Sequence, residues 1–455
     1  MDTLAHRRYV PPVPTPPPAP LPMRQFLRAI RENALTIWPE RAYHDDMTVR
    51  QFLGRTNVLL NEPEAIHRVL VENHANYRRS AASIRILRPI TGNGLLLSMG
   101  EAWRLQRRTV APALGPRVIP LLSRHIMAAT QEALNALDQS NIDLLTFIQA
   151  LALDIAGRSM FSLETRQYGP EIRRLLTEFG DRFAQPHLLD MLVPASVPTL
   201  RDWRRARFSK RWMHLIETMM QQRIGNPNPS EQPRDLLDLL ISARDPETGA
   251  GFSPAELRDQ VATLLLAGHE TTAVTLFWAC LMLANAPDVQ NWLAEELPGV
   301  DLTQDGVLAR LVRTRAVVNE TLRLFPAAFT LAREAIQPDQ LGTLQLPRRA
   351  VVMIAPWVLH RHHAFWPDPG AFNPARFMPD APPPPRFAFM PFGAGPRICV
   401  GAQFAMAEAV LVLAAFVQRF QIALRDTRPV LPVAVVTTQP DHAPLFQLTR
   451  RPSSQ

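Results

Sequence analysis

"PFGAGPRICVGAQFAMAE", from Pro391 to Glu408, holds Cys399, one of only two cysteines in a chain of 455 residues. Gly393 and Gly395 precede the sulfur, Arg397 stands two places before it and Gly401 two places after it. A lone cysteine is most often a small buried hydrophobe. A nucleophile would need a dedicated base, and nothing nearby in sequence supplies one. The surroundings point elsewhere. Glycines let a backbone turn tightly and aim its N–H groups inward. "VGAQFAMAEAVLVLAAFVQRF" (Val400 to Phe420) is helical in pattern, which sets Cys399 at a helix N-terminus, where free N–H groups and the macrodipole favour a thiolate. Gly401 permits close approach by something flat and bulky, and Arg397 offers a positive charge to an anionic group beside it.

Working outward, the chain is long enough for a large core, and its 47% hydrophobic content suits a globular protein. Length alone suggests more than one domain, yet no Gly/Ser-rich linker and no internal repeat divides the sequence. The expectation is a mainly α single domain with a minor β region, over residues 23–451. "VPPVPTPPPAPLP" (Val10 to Pro22) favours an extended, polyproline-like arm over packed structure, so residues 1–22 are expected as an arm and 452–455 as a tail. The net charge of +8 suits either a functional basic face, for an acidic protein or an anionic membrane surface, or mere genomic composition. No recognition motif accompanies it, so nucleic acid is not expected. Cys280 and Cys399 form no disulfide framework or zinc spacing, and prolines follow Arg7 and Arg8 where a signal peptide needs an apolar core. A cytoplasmic location fits best.

"VRQFLGRTNVLL" (Val49 to Leu60) and "LQLPRRAVVMIAP" (Leu344 to Pro356) read as short strands; "QPRDLLDLLISARD" (Gln232 to Asp245) and "DGVLARLVRTRAVVNETLRLFP" (Asp305 to Pro326) read as amphipathic helices. The most apolar run, "VATLLLAGHETTAVTLFWACLMLA" (Val261 to Ala284), is long enough to span a bilayer. Glu270 at its middle would cost at least about 2.5 kcal/mol there. Ser253, Pro254 and Glu256 form a soluble-style start, and Asn285 and Pro287 a stop, so a buried central helix is expected and no transmembrane segment.

Phe392-Gly393-Ala-Gly-Pro-Arg397-Ile-Cys399-Val-Gly401 resembles the haem-binding loop of the cytochromes P450, F-x-x-G-x-R-x-C-x-G, with every fixed position matched. The resemblance implies the P450 fold with heme b (iron protoporphyrin IX), Cys399 as axial ligand of the iron, Phe392 packed beside the sulfur and Arg397 paired with a haem propionate. Thiolate ligation favours O–O cleavage. Other segments resemble the family in the family's own order. Ala267-Gly268-His269-Glu270-Thr271-Thr272 is similar to its oxygen-binding segment, which implies that Thr271 bonds bound dioxygen or its water and that Glu270 relays protons. A mid-helix glycine costs about 1 kcal/mol relative to alanine, which makes sense if the helix opens for a ligand. A glycine tolerated for packing and a threonine bonded to its own helix explain the same residues.

Glu320-Thr-Leu-Arg323 matches the family's E-x-x-R, and "FNPARF" (Phe372 to Phe377) resembles its P-E-R-F segment with Ala375 in place of the glutamate; Glu320, Arg323 and Arg376 are implied to form a structural cluster. "GEAWRLQRR" (Gly100 to Arg108) resembles the helix that flanks a propionate, implying contacts from Trp103 and Arg107, and Arg333 falls where many members place another. His360, His362 and His363 read as loop histidines in preference to a metal site. Arg349 stands where a turn glycine is common, which weakens the turn there.

The motif style is closest to bacterial fatty-acid hydroxylases. The implied activity is insertion of one atom of O2 into a hydrophobic small-molecule substrate. Electrons would come from a separate ferredoxin or flavodoxin-type donor and its NAD(P)H reductase, with no reductase fused and the protein acting as a monomer. The rivals are a peroxygenase driven by H2O2, against which the Glu270–Thr271 pair argues, and a non-catalytic haem protein. Pocket walls are expected from Ser80 to Ser98, near Phe179 to Leu200, and from Phe325 to Leu331, with Arg85 and Arg88 as solvated arginines or as a carboxylate's greeters. Arg104, Arg107 and Arg108 are the expected docking face for an acidic donor.

Overall fold

The structure, a computed structural model, describes residues 9–452 apart from residue 53 and residues 138–140, 163–167, 186, 188, 191–192, 194–196 and 226–231. The outer ends of the arm and tail, and part of the 179–200 wall, lie outside the described residues. The helices that carry the architecture are α1 (Met23–Glu32), α2 (Ala81–Thr91), α3 (Gly100–Val110), α4 (Ile119–Asn135), α5 (Leu144–Phe161), α6 (Gly169–Arg182), α7 (Leu200–Ile224), α8 (Pro254–Asn285), α9 (Val312–Leu324) and α10 (Ala402–Arg419).

The long apolar run folds as α8, an axis through the molecule. Its start is the expected capping box: the Ser253 hydroxyl accepts the Glu256 N–H at 3.4 Å while the Glu256 carboxylate accepts the Ser253 N–H at 2.9 Å. From Thr272 to Leu283 every residue is buried, because α5, α9 and α10 pack around it. α8 does not open at Gly268. The helix is continuous, and a Cβ at that position would meet nothing within 4 Å; the missing side chain clears space without unwinding the backbone. Three helices, α5, α8 and α10, are long and apolar enough to cross a membrane, and here more than half of each apolar window is buried within the fold.

The β region centres on a five-stranded sheet of β1 (Met47–Phe52), β2 (Arg55–Leu60), β3 (Tyr77–Arg78), β4 (Leu331–Ala335) and β5 (Val351–Ile354), in the order β1-β2-β5-β4-β3. Only the β2–β5 pair is parallel. Each strand-like run therefore contains two elements: the first is the β1–β2 hairpin, and the second is Leu344–Leu346 followed by β5. The turn between these last two forms although Arg349 replaces glycine, with Arg349 at φ 66°. Period-two alternation sends Val58, Leu60, Val352 and Ile354 to one face, where they pack with Leu70 and Met390 in a second core. A small hairpin, β6 (Pro432–Ala434) and β7 (Thr438–Pro440), sits on α8 through the bond from the Trp278 indole N–H to the Thr438 carbonyl, 2.8 Å.

Residues 9–22 form no helix or strand, yet they lie against the body: Tyr9 and Pro17 carbonyls accept the N–H groups of Phe372 and Glu40 at 2.9 Å, and the Leu21 carbonyl accepts Arg50 at 2.8 Å. Proline carbonyls without competing N–H donors suit a strap better than a free arm.

Two buried polar features stand in the core. Arg323 binds Glu320 at 2.8 Å and ties down three carbonyls, those of His360, Pro369 and Ala371, while Arg376 Nε lies 3.6 Å from Glu320. Glu408 on α10 faces the Thr272 hydroxyl of α8 without a completed hydrogen bond at its Oε1, and burial pushes its carboxyl up to about 8. Its folded pKa exceeds the unfolded value, so unfolded chains ionise first and stability falls as pH rises from about 4.5 to about 8. Glu408→Gln is expected to lose less stability across that window than the parent, read as melting temperature against pH; parallel curves would show that Glu408 does not titrate there.

Candidate functional site

The Cys399 loop is shaped by two left-handed glycines. Gly393 (φ 74°) and Gly395 (φ 72°) reverse the chain so that the Cys399 N–H donates to the Phe392 carbonyl at 2.9 Å. At Gly395 the constraint is also spatial, since a Cβ would stand 2.0 Å from the Leu70 carbonyl oxygen. His360 follows the short helix Pro356–Leu359 in a turn and is fully buried, its Nε2 accepting the Met390 N–H at 2.9 Å as a strut under the start of the loop. Burial, with Arg323 and Arg361 nearby, drives its pKa down to about 3, so it stays neutral. His362 is buried against the Asp45 carbonyl, and His363 stacks on His44 at 4.2 Å. Among the described residues no histidine, cysteine or carboxylate cluster could hold a metal ion.

Cys399 opens onto a cavity of about 360 Å³. Its other sides are enclosed by protein, and this burial holds the thiol above its ordinary pKa against the Gly401 N–H and the Arg107 charge. Desolvation thus opposes the thiolate that the helix terminus favours, and a metal at the sulfur would remove the proton. Phe392, Gly393, Arg397 and Gly401 line the same space. So do Ala267, Gly268 and Thr271 from α8, Trp103 and Arg107 one turn apart on α3, and Arg333 from β4. Thr271 donates its hydroxyl to its own helix at the Ala267 carbonyl, 2.6 Å. Glu270 is not part of the wall: its carboxylate accepts Thr437 and Gln439 from the β6–β7 hairpin.

Arg79, which follows β3 directly, belongs to the site and was invisible in sequence. Its Nε is buried without a hydrogen bond, and burial together with Arg333 and Arg397 lowers its pKa to about 9. Arg397 is lowered to about 10 by burial and by Arg333, and its guanidinium lies over the Trp103 ring at 4.3 Å. Arg107 and Arg397 reach only carbonyls, of Ile398 and Ser98. Four arginines thus converge on one cavity, and among the described residues none is paired with a carboxylate. Buried cations without counter-ions destabilise a fold. The arrangement fits a flat apolar molecule that carries anionic groups at one edge and meets the sulfur on one face.

The pocket walls differ from expectation in part. Leu95 and Leu96, and Ala327, Ala328 and Leu331, do line the cavity, but no described residue of 179–200 does; Ala156, Ser159 and Met160 of α5 stand there as well. Arg85 is buried, bonding the Val197 carbonyl at 2.8 Å and lying 3.8 Å from Asp202, so it greets no ligand, while Arg88 faces solvent. The expected basic docking face is also corrected. Arg104 pairs with Glu101, Arg108 pairs with Asp245 and Glu247, and Arg107 turns into the cavity. A second cavity, about 250 Å³, lies under α1; Arg41, Arg50 and Arg55 on its walls already have partners, and no cysteine reaches it.

A family model described as cytochrome P450 matches residues 11–443. The chain is similar to cyclooctatin synthase of Streptomyces melanosporofaciens, 31% identical over 412 residues that cover 89% of each protein. It is 29% identical to cyclooctat-9-en-7-ol 5-monooxygenase of the same organism, over 89% of this chain and 88% of that one. In fold it resembles the haem domain of cytochrome P450DA, with a TM-score of 0.81 at 23% identity over 97% and 99% of the two chains.

The glycines make a test of the loop. Gly395→Ala meets both a left-handed φ and the Leu70 carbonyl and is expected to cost at least about 1–3 kcal/mol in urea unfolding. Gly401→Ala, whose Cβ has open space, is expected to stay within about 0.5 kcal/mol of the parent. Equal losses for the two would contradict this account of the loop.

Proposed function

The chain belongs to the cytochrome P450 family and is a haem-thiolate monooxygenase, and from that premise we propose which of its residues hold the haem and which serve the reaction. The observation that carries the assignment is the shared cavity, with Cys399, Thr271 and the four arginines on its walls. Heme b, iron protoporphyrin IX, would be held there by the Cys399 sulfur. Phe392 would pack beside it, and Arg79, Arg107, Arg333 and Arg397, with Trp103, would hold its anionic propionates. Bound in this way, the haem supplies activation of O2 and transfer of one oxygen atom to the substrate.

The protein's own part is to position groups and to manage protons. Gly268 and Ala267 leave room against α8 for a small ligand. Thr271 keeps its hydroxyl oxygen at the cavity wall by giving its proton to the Ala267 carbonyl, which leaves lone pairs free to accept a hydrogen bond. Glu270 lies one residue away, on the outer side, and is the acid of the relay. The walls from Leu95, Leu96, Leu264, Ala327, Ala328 and Ala409 are apolar and exclude water from the reacting region.

The substrate we propose is largely hydrocarbon, a terpenoid or fatty acyl compound. The apolar walls support this, as do the cyclooctatin and cyclooctat-9-en-7-ol named for the two Streptomyces relatives. Electrons come from a separate ferredoxin or flavodoxin-type carrier and its NAD(P)H reductase; the net charge of +8 favours an acidic donor. Neither cysteine is in a disulfide, which suits the cytoplasm.

Thr271→Ala tests the oxygen-site assignment. It is expected to consume NAD(P)H at a similar rate and to divert electrons from product to hydrogen peroxide. An unchanged ratio of product to NAD(P)H would remove Thr271 from the mechanism.

A further inference from the structure

The Glu270 carboxylate is held in an unusual way for an acid that must serve the cavity. Thr437 donates its hydroxyl to Glu270 Oε1 at 2.7 Å, and the Gln439 amide donates to the same oxygen at 2.8 Å. Gln439 also bonds the Thr437 hydroxyl at 3.0 Å, so the two donors brace each other. Among the described residues Oε2 has no partner and no cation pairs with Glu270. His269, on the same helix, lies within electrostatic reach of both Glu270 and Arg173 of α6.

An ordinary hairpin anchor would explain these bonds if the hairpin had no other support. It has ample support. The Trp278 indole and the Ala327 and Pro326 carbonyls all bond Thr438, and Asn33 brackets β6 through the Pro432 carbonyl and the Ala434 N–H. A carboxylate is not needed to hold it in place. Two neutral donors on one oxygen instead orient the group, each bond to the charged acceptor contributing about 1.5–3 kcal/mol, without the further hold that a paired cation would add. Ala327, bonded to Thr438, also lines the cavity, so a ligand pressing on that wall touches the same hairpin.

We propose that Thr437 and Gln439 are positioning residues that hold the Glu270 carboxylate outside the cavity and set its delivery of protons to Thr271. The inference rests on the reading of Glu270 as the relay acid. In each cycle Glu270 takes a proton from solvent on the outer side, swings on its free side chain and gives that proton to the Thr271 hydroxyl oxygen. Thr271 hands a proton on to the oxygen ligand held at the cavity wall, its hydroxyl afterwards donating again to the Ala267 carbonyl, and Glu270 returns to the hairpin as a carboxylate. No electron moves in this step.

The test compares holoenzymes carrying Thr437→Val with Gln439→Leu, Thr437→Ser, Gln439→Met and Glu270→Gln. The infrared carboxylate stretch of Glu270, assigned by its loss in Glu270→Gln, is expected to shift in the double variant and to stay at the parent position in Thr437→Ser. With dodecanoic acid as the probe substrate, the share of NAD(P)H electrons released as hydrogen peroxide is expected to rise about threefold or more in the double variant, and its solvent deuterium isotope effect to grow. The dissociation constant from the substrate-induced spectral shift is expected to change less than twofold, and Thr437→Ser to restore coupling. Gln439→Met, which keeps the threonine, gives an intermediate shift should the double variant fold poorly. An unmoved infrared band overturns the proposal. So does a shifted band with parent-like coupling while Glu270→Gln uncouples, for then the hairpin holds Glu270 without governing it. Coupling unchanged in Glu270→Gln itself instead rejects the relay reading on which the inference rests.

Discussion

The contact between Gly395 and the Leu70 carbonyl is the tightest constraint on the site. With no room for a Cβ, and with φ in the left-handed region, the backbone at Gly395 has one residue type available to it. Everything that presents Cys399 follows from that reversal: the bond from its N–H to Phe392, the seat of the loop on the second core, and the start of α10 immediately beyond. The body of the protein is built to keep this loop still. His360 holds Met390, Arg323 holds the carbonyl of His360, and Glu320 holds Arg323, so a chain of buried bonds runs from α9 to the residue before the loop.

A second theme is unbalanced charge. Several charges elsewhere in the interior come with carboxylate partners, as Arg205 does with Asp190 and Arg223 with Asp235, whereas Arg361 bonds only the Trp357 and Leu324 carbonyls. The four cavity arginines also lack carboxylate partners among the described residues, and they stand together on one cavity. Their mutual repulsion and desolvation are costs of the ligand-free chain that an anionic ligand offsets, so binding and folding are linked through the same residues. The sulfur follows the same logic, since burial disfavours its charged form until a cation sits against it.

The parts legible in sequence were those whose chemistry is local. The Cys399 loop, the Ser253–Glu256 capping box and the E-x-x-R pair each span only a few residues, so spacing alone carries their geometry. The helical core was legible from periodicity, although the strand runs hid a hairpin and a turn that forms in spite of Arg349. Residues whose role depends on distant neighbours were not legible. Arg79 reaches the cavity because β3 pairs with β4, a contact between residues far apart in the chain. Glu408 stood inside the decisive stretch, yet only the packing of α10 on α8 reveals that it is buried. Arg108 looked like part of an open basic face because its acidic partners, Asp245 and Glu247, stand well downstream, while Arg104 has its partner, Glu101, one turn away in the same helix. The polyproline stretch read as an arm because composition reports backbone shape and says nothing about the surface on which it lies.

The central claim is that a cysteine sulfur at the floor of this cavity ligates haem iron. The most direct measurement is the absorption spectrum of the purified, chemically reduced protein under carbon monoxide. The account predicts the strongly red-shifted Soret band of a thiolate-ligated haem, lost when Cys399 is replaced by histidine. A Soret band at the shorter wavelength of histidine-ligated haem proteins in the unmutated chain would contradict it.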